Sequence, residues 1–418
     1  MYNLNFRCLY SILLIFFLFS CKKSSLDDNN LSPTTGARKE LTIDSLYLYA
    51  KEIYLWNEAL PEYSTFLPRD RYSNITAENE AIKKELFDIT QLKVNKTTNV
   101  PYEFTNYGSP KYSFFEEKTT RASKLNAYSK GTNIGNEIVV ARVNDISYLA
   151  VHSFPELNNI KSDLDEAFSK IASSNLGTLV VDLRYNNGGY IETAEYLANL
   201  IAPSLLNGKV MYSEIFNQTL QFRNTKILKN QPYLDSKGDI VIINGRKATM
   251  ADVDYSEKGN TYFFNKKGNL ESVKNIYFIT SAITASASEM LISLFKPYFN
   301  IKLVGEKTYG KPIGFFPIHI DKYSFYLSSF LIKNANGWSD YYSGMDPNIR
   351  VELPTNPTLG DPNEACLKSI IIDLYGNSKI AKPSQKIANR EILKMKHPSK
   401  QLNKNVFFTE NRLKLKNQ

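Results

Sequence analysis

Residues 277–318 read YFITSAITASASEMLISLFKPYFNIKLVGEKTYGKPIGFFPI. NIYFIT (275–280) predicts a strand, ASEMLISLFKPYF (287–299) a helix, and IKLVGE (301–306) a second strand. A helix of about twelve residues advances roughly 18 Å. The apolar run that follows, about five extended residues, returns roughly 16 Å. The second strand therefore runs parallel to the first, and the loop after it, EKTYGK, comes back to the edge where the helix began.

Working outward, GTLVVDLRY (177–185) predicts another buried strand, followed by the turn residues NNGG. Open α/β sheets place ligands at the C-terminal edge of their strands. Three loops converge there: 185–189, 284–289 and 306–311. EIVVARV (137–143) and ISYLAVHSF (146–154) read as paired strands, and SDLDEAFSKIASS (162–174) and ETAEYLANLIA (192–202) as helices, with Ser162 as a cap. Strand–helix alternation predicts an α/β layered sheet. Residues 203–273 break the rhythm and read as an insertion or lid. Upstream, ELTIDSLYLYAKEIYLWNEAL (40–60) and AENEAIKKELFDI (77–89) have helical spacing, so residues 39–100 read as a small helical N-terminal domain before a larger domain of residues 101–377.

The convergence edge carries Ser286 at a helix start and Lys311 in the returning loop. A serine there sits among unpaired backbone N–H groups that can hold an oxyanion. Gly188 and Gly189 allow a second backbone N–H to approach closely. A buried lysine loses its proton more readily and can act as a base, and Ser–Lys pairs are one variant of triad logic. The same residues have plain readings. Ser286-Ala-Ser-Glu289 is also a capping box, NNGG is also a turn, and a loop lysine is ordinarily solvated. His152 and His319 are further candidate bases, although strand histidines are ordinarily structural.

TASASEM with VGEKTYGK, and VVDLRYNNGG ahead of them, resemble the C-terminal processing (tail-specific) protease family. The resemblance spans residues 101–375, and the helical segment containing YLYAKEIYLWNEALP is similar to the N-terminal region of lipoprotein members. It implies a ClpP/crotonase-like catalytic core and a serine endopeptidase in which Ser286 is the nucleophile and Lys311 its base. It also implies an oxyanion hole from Gly188 or Gly189 with Ala287, and supporting roles for Glu289 and Thr308. No cofactor or metal is implied, and the partner is a protein or peptide substrate. The sequence departs from the family twice. Phe315 stands where many members have a lysine-orienting glutamine, and the stretch between Ser113 and Ile146 is too short for a PDZ domain. A non-catalytic peptide- or ligand-binding lipoprotein on a decayed peptidase fold is the competing reading. A CoA-dependent enzyme of the crotonase-like group is a further one, without any feature for the CoA.

The chain begins MYNLNFRCLYSILLIFFLFSC. Arg7, an apolar stretch over 9–19 and Ser20 before Cys21 read as a lipoprotein signal peptide (1–20), with lipid on Cys21 and a polar tether over 21–38. Lys22 after the cysteine favours an outer-membrane destination in the bacterial cell envelope. Three cysteines and three histidines exclude a disulfide framework and make a multi-histidine metal centre improbable. The net charge of +9 is carried by residues 378–418, leaving the body about neutral and without the footprint of a nucleic-acid binder. That basic tail reads as a solvated end.

Overall fold

The computed structural model describes residues 32–117, 137–235, 238–376, 390–394 and 412–416. The anticipated signal peptide and Cys21 lie outside the described residues, as does most of the basic tail.

The apolar runs become strands buried on both faces. Labelled in chain order, β1 is Phe114–Glu117, β2 Glu137–Val143, β3 Ile146–Val151, β4 Thr178–Asp182, β5 Val210–Phe216, β6 Thr261–Phe263, β7 Asn275–Thr280 and β8 Ile301–Gly305. The later strands are β9 Ile313–Gly314, β10 Pro317–Ile320, β11 Tyr323–Tyr326, β12 Phe330–Asn334, β13 Ile349–Arg350 and β14 Arg390–Lys394. A seven-stranded sheet has the order β13-β8-β7-β4-β3-β2-β14. It is parallel from β13 to β3, and β2 and β14 add antiparallel at the far edge. Side chains alternate faces with period two. Leu179, Val181, Ile276 and Phe278 enter the larger core, while Val180, Tyr277 and Ile279 enter a smaller one behind the sheet.

The longer helices up to residue 295 lie where their apolar periodicity predicts, with shifted ends, and a sixth, over 365–375, has no counterpart in the sequence reading. The helices of two turns or more are α1 Arg38–Ile53, α2 Glu78–Thr90, α3 Leu157–Ser174, α4 Ile191–Ile201, α5 Ala287–Phe295 and α6 Ala365–Tyr375. Helix α3 starts five residues before Ser162, because its N-cap is Glu156, directly after Pro155. Helix α6 covers the smaller core with Cys366, Leu367, Ile370 and Ile371.

Two segments are more integrated than their sequences suggest. Residues 203–273, expected as an insertion or lid, supply β5 and β6 to a four-stranded antiparallel sheet, β9-β12-β5-β6. The N-terminal helices share the main core, since Ile43, Leu46, Ile82 and Leu86 belong to the same cluster as Phe278 and Leu291. Glu52 of α1 accepts N–H bonds from Ile227 and Leu228 at 2.8 and 3.0 Å, and Leu55 N–H donates to Ser328 O at 2.7 Å.

The tail is also not wholly solvated. Residues 390–394 form the edge strand β14. Leu413 and Leu415 are buried, and Leu415 bridges to Val253. Among the described residues no helix is long and apolar enough to cross a membrane.

Candidate active site

Strands β4, β7 and β8 end side by side, and their loops bind one another. From the loop after β7, Ser281 Oγ donates to Arg184 O at 2.6 Å and Thr284 Oγ1 to Leu183 O at 2.9 Å. From the loop after β8, Tyr309 N–H donates to Thr284 O at 3.0 Å. The three predicted loops therefore form one unit at the C-terminal edge of the sheet.

Ser286 is the N-cap of α5, with φ 63° and ψ −124°. A non-glycine residue there stores about 1–3 kcal/mol, which the surrounding packing must hold. The residue is fully buried, and its Oγ makes no hydrogen bond with any described residue. The capping box is thus half formed: Glu289 accepts the Ser286 N–H at 3.1 Å, but the serine hydroxyl is not spent on the helix. A strained serine with an uncommitted hydroxyl differs from a structural cap, whose oxygen accepts an N–H from the first turn.

Glu289 joins the two halves of the site. Its Oε2 accepts the N–H groups of Ser286 and Lys311, the latter at 2.8 Å. Its Oε1 accepts the Gly310 N–H at 2.7 Å and the Thr308 hydroxyl at 2.5 Å. Thr308 Oγ1 in turn accepts the Met345 N–H at 2.8 Å, so its own proton is directed at Glu289. Burial raises the Glu289 carboxyl above its ordinary range, while four donors and no acceptor around it suit the anion.

Lys311 is 3% exposed. Burial pushes its amine down to about 7, against the opposing pull of Glu289 and Glu103. Its Nζ lies 4.8 Å from the ring centroid of Phe315, over the ring. Because Ser286 Oγ is unpartnered, no Ser286–Lys311 hydrogen bond is formed in this conformation. Such contacts often tighten only with substrate bound.

The Gly-Gly turn packs directly on Ser286. A Cβ built on Gly188, whose φ is +102°, would lie 2.7 Å from Ser286 Cβ and 3.0 Å from its Oγ. Gly188 N–H is occupied, donating to Asn186 Oδ1 at 2.9 Å. Of the two glycines, Gly189 is left with the free donor, because its N–H meets no acceptor among the described residues. The Ala287 N–H is likewise uncommitted, as expected in the first turn of a helix.

Several supporting residues have no signal in the motifs. Lys111 Nζ donates to the carbonyls of Tyr309 and Tyr342, at 3.3 and 2.6 Å. Tyr112 OH donates to Gly310 O at 2.7 Å. Both hold the loop that carries Lys311. Buried Glu103 accepts from Ser113 N–H and Ser328 Oγ, each at 2.7 Å, anchoring that strap in turn. Behind β4, Arg184 pairs with Asp182 and with Glu364 at the N-cap of α6, each at 2.8 Å. The two candidate histidines make contacts of their own. His319 Nδ1 shares a hydrogen bond with Ser324 Oγ at 2.9 Å on the β10–β11 hairpin, and His152 meets the Tyr185 ring edge-on at 5.3 Å. Among the described residues no cluster of His, Cys, Asp and Glu could hold a metal ion.

Comparison with known proteins points to a peptidase family. Peptidase family S41 matches residues 145–351. A carboxy-terminal-processing protease of Bartonella bacilliformis is 26% identical over 219 residues, covering 50% of this chain and 39% of that protein. The chain thus spans about two fifths of that relative's length. Among solved structures, the photosystem II D1 C-terminal processing protease aligns at 12% identity and a TM-score of 0.44, over 77% of this chain and 96% of that one. A lipoprotein from Streptococcus agalactiae aligns at 17% identity and a TM-score of 0.43, over 78% and 96%.

Proposed function

We propose, for a chain that belongs to peptidase family S41 through residues 145–351, that it is a serine endopeptidase working through Ser286 and Lys311. The observation that carries this reading is the state of Ser286. It is strained, buried, free at its hydroxyl and coupled through Glu289 to the loop of a buried lysine.

Neutral Lys311 takes the proton from Ser286 Oγ as that oxygen attacks the carbonyl carbon of the substrate peptide bond. Charge then gathers on the carbonyl oxygen, within reach of the Ala287 and Gly189 N–H groups. Each such donor contributes about 3–4 kcal/mol to transition-state stability. Collapse breaks the C–N bond, and Lys311 returns its proton to the departing amine. Water, deprotonated by the same lysine, then hydrolyses the acyl-enzyme. The backbone donors and the lysine supply each step, so this reading needs no metal or organic cofactor.

Digestion of an unfolded protein or a peptide library tests the reading. Wild type should release peptides, and Ser286→Ala should release none above background. Equal turnover by purified Ser286→Ala would overturn Ser286 as the nucleophile, and no turnover by wild type would favour the non-catalytic binding-protein reading. We further propose that Cys21 carries lipid and holds the protein in the bacterial envelope. Labelling with a fatty-acid analogue, lost in Cys21→Ser, checks this.

A further inference from the structure

Phe315 lies four residues after Lys311, at the position where the family resemblance implies a glutamine. The ring is fully buried, with its centroid 4.8 Å from Lys311 Nζ. Phe114 meets it edge-on at 5.9 Å and itself stacks on Tyr326 at 4.6 Å, so the ring is held from behind by strands β1 and β11. A glutamine oxygen would fix the amine by accepting an N–H and would favour the ammonium form. An aromatic face does the same work differently. Its negative quadrupole attracts the cation and accepts an N–H of the neutral amine, while the hydrocarbon excludes water.

We propose that Phe315 is the positioning residue of Lys311: its ring face replaces a glutamine carbonyl in aiming the amine, and the wall of Phe114 and Tyr326 keeps the ring in place. The inference rests on Lys311 being the proton acceptor. Glu289 on α5 and Glu103 before β1 are the charges acting on that amine, and Lys111 and Tyr112 fasten its loop. These are the same in every Phe315 variant, so a shift in titration reports the substituted side chain.

The test is the pH dependence of kcat and KM for the full chain carrying Phe315→Tyr, Phe315→Leu or Phe315→Gln. Phe315→Tyr keeps the ring and should match wild type within about twofold, with the same acid limb. Phe315→Leu should lower kcat about tenfold with KM nearly unchanged, and move the acid limb down by roughly half a unit. Phe315→Gln should move the limb up, because its oxygen stabilises the ammonium. Either of the last two suffices if the other fails to fold. A limb that stays in place in both, or Phe315→Tyr as impaired as Phe315→Leu, overturns the inference while leaving the Lys311 reading intact. Turnover that survives Lys311→Ala overturns both.

Discussion

The backbone N–H groups of Ser286 and Lys311 donate to the same oxygen of Glu289, at 3.1 and 2.8 Å. Twenty-five residues of chain, including a whole helix and a strand, are thereby closed into a loop by one buried carboxylate. The backbones of Ser286 and Lys311 therefore cannot move independently. Replacing Glu289 by Gln keeps the size but sets an NH2 group against two of the four donors that now point at the carboxylate. We expect kcat to fall about a hundredfold, since two to three kcal/mol of positioning is lost. Circular dichroism should show the fold retained, and steady-state kinetics on a fluorogenic peptide reads the loss. Undiminished kcat would mean that Glu289 is only a cap.

Gly188 should be irreplaceable for a steric reason. A methyl group there would collide with Ser286 Cβ at 2.7 Å, and its φ of +102° strains any other residue. Gly188→Ala is expected to abolish turnover while thermal unfolding remains cooperative. Gly177→Ala, whose Cβ would meet Ser272 O at 3.7 Å, serves as the tolerated control. Similar activities for the two variants would contradict the packing described.

Glu85 on α2 is a carboxyl at 0% exposure whose two oxygens have no hydrogen-bond partner among the described residues. Burial raises it well above its ordinary value, with Asp44 adding to the rise. The folded state therefore holds a proton that the unfolded chain gives up above about pH 4.5. Its contribution to stability is complete below that pH and is lost as the pH climbs toward the folded value. Glu85→Met should raise stability by about 1–3 kcal/mol at pH 7 and by less at pH 4. Urea unfolding at the two pH values measures it. An equal effect at both would point to packing alone.

The C-terminal residues make their own test of how sequence and structure relate. Arg412 pairs with Glu195 on α4 at 3.0 and 2.5 Å, and its guanidinium also meets Tyr212 OH at 2.7 Å. Arg412→Met should cost about 2 kcal/mol, because the Glu195 carboxylate then lacks its paired cation and Glu214 keeps only Lys414 nearby. A chemical-denaturation midpoint at the wild-type value would show that 412–416 docks without consequence.

Much of this architecture was legible. Strand Asn275–Thr280 falls where the β-branched run predicts, and α5 begins where Ser286 and Glu289 frame a helix start. At 412–416 the charge of the tail outweighs its pattern in a reading from sequence. RLKLK at 412–416 alternates apolar and basic residues with the period of a strand, and the structure buries both leucines. Other features leave no local trace. Lys111 and Tyr112 act on a loop about 200 residues away, as a consequence of tertiary placement alone. The capture of Gly188 N–H by Asn186 could have been suspected, since an asparagine two residues ahead commonly folds back on the backbone. It leaves Gly189, not Gly188, with the uncommitted N–H among the described residues. Phe315 was visible only as a departure, and its meaning required the position of the Lys311 amine.

The pH dependence of kcat/KM tests the central claim most directly. A base that must be neutral gives no turnover while it is an ammonium ion, so activity should climb with pH through a limb near the depressed Lys311 value of about 7 and hold above it. Ser286→Ala and Lys311→Ala should each remove the activity across the whole range, without loss of fold. A profile with that limb, abolished in both variants, is the predicted result. A limb near pH 4, or turnover that persists in Lys311→Ala, would contradict the account.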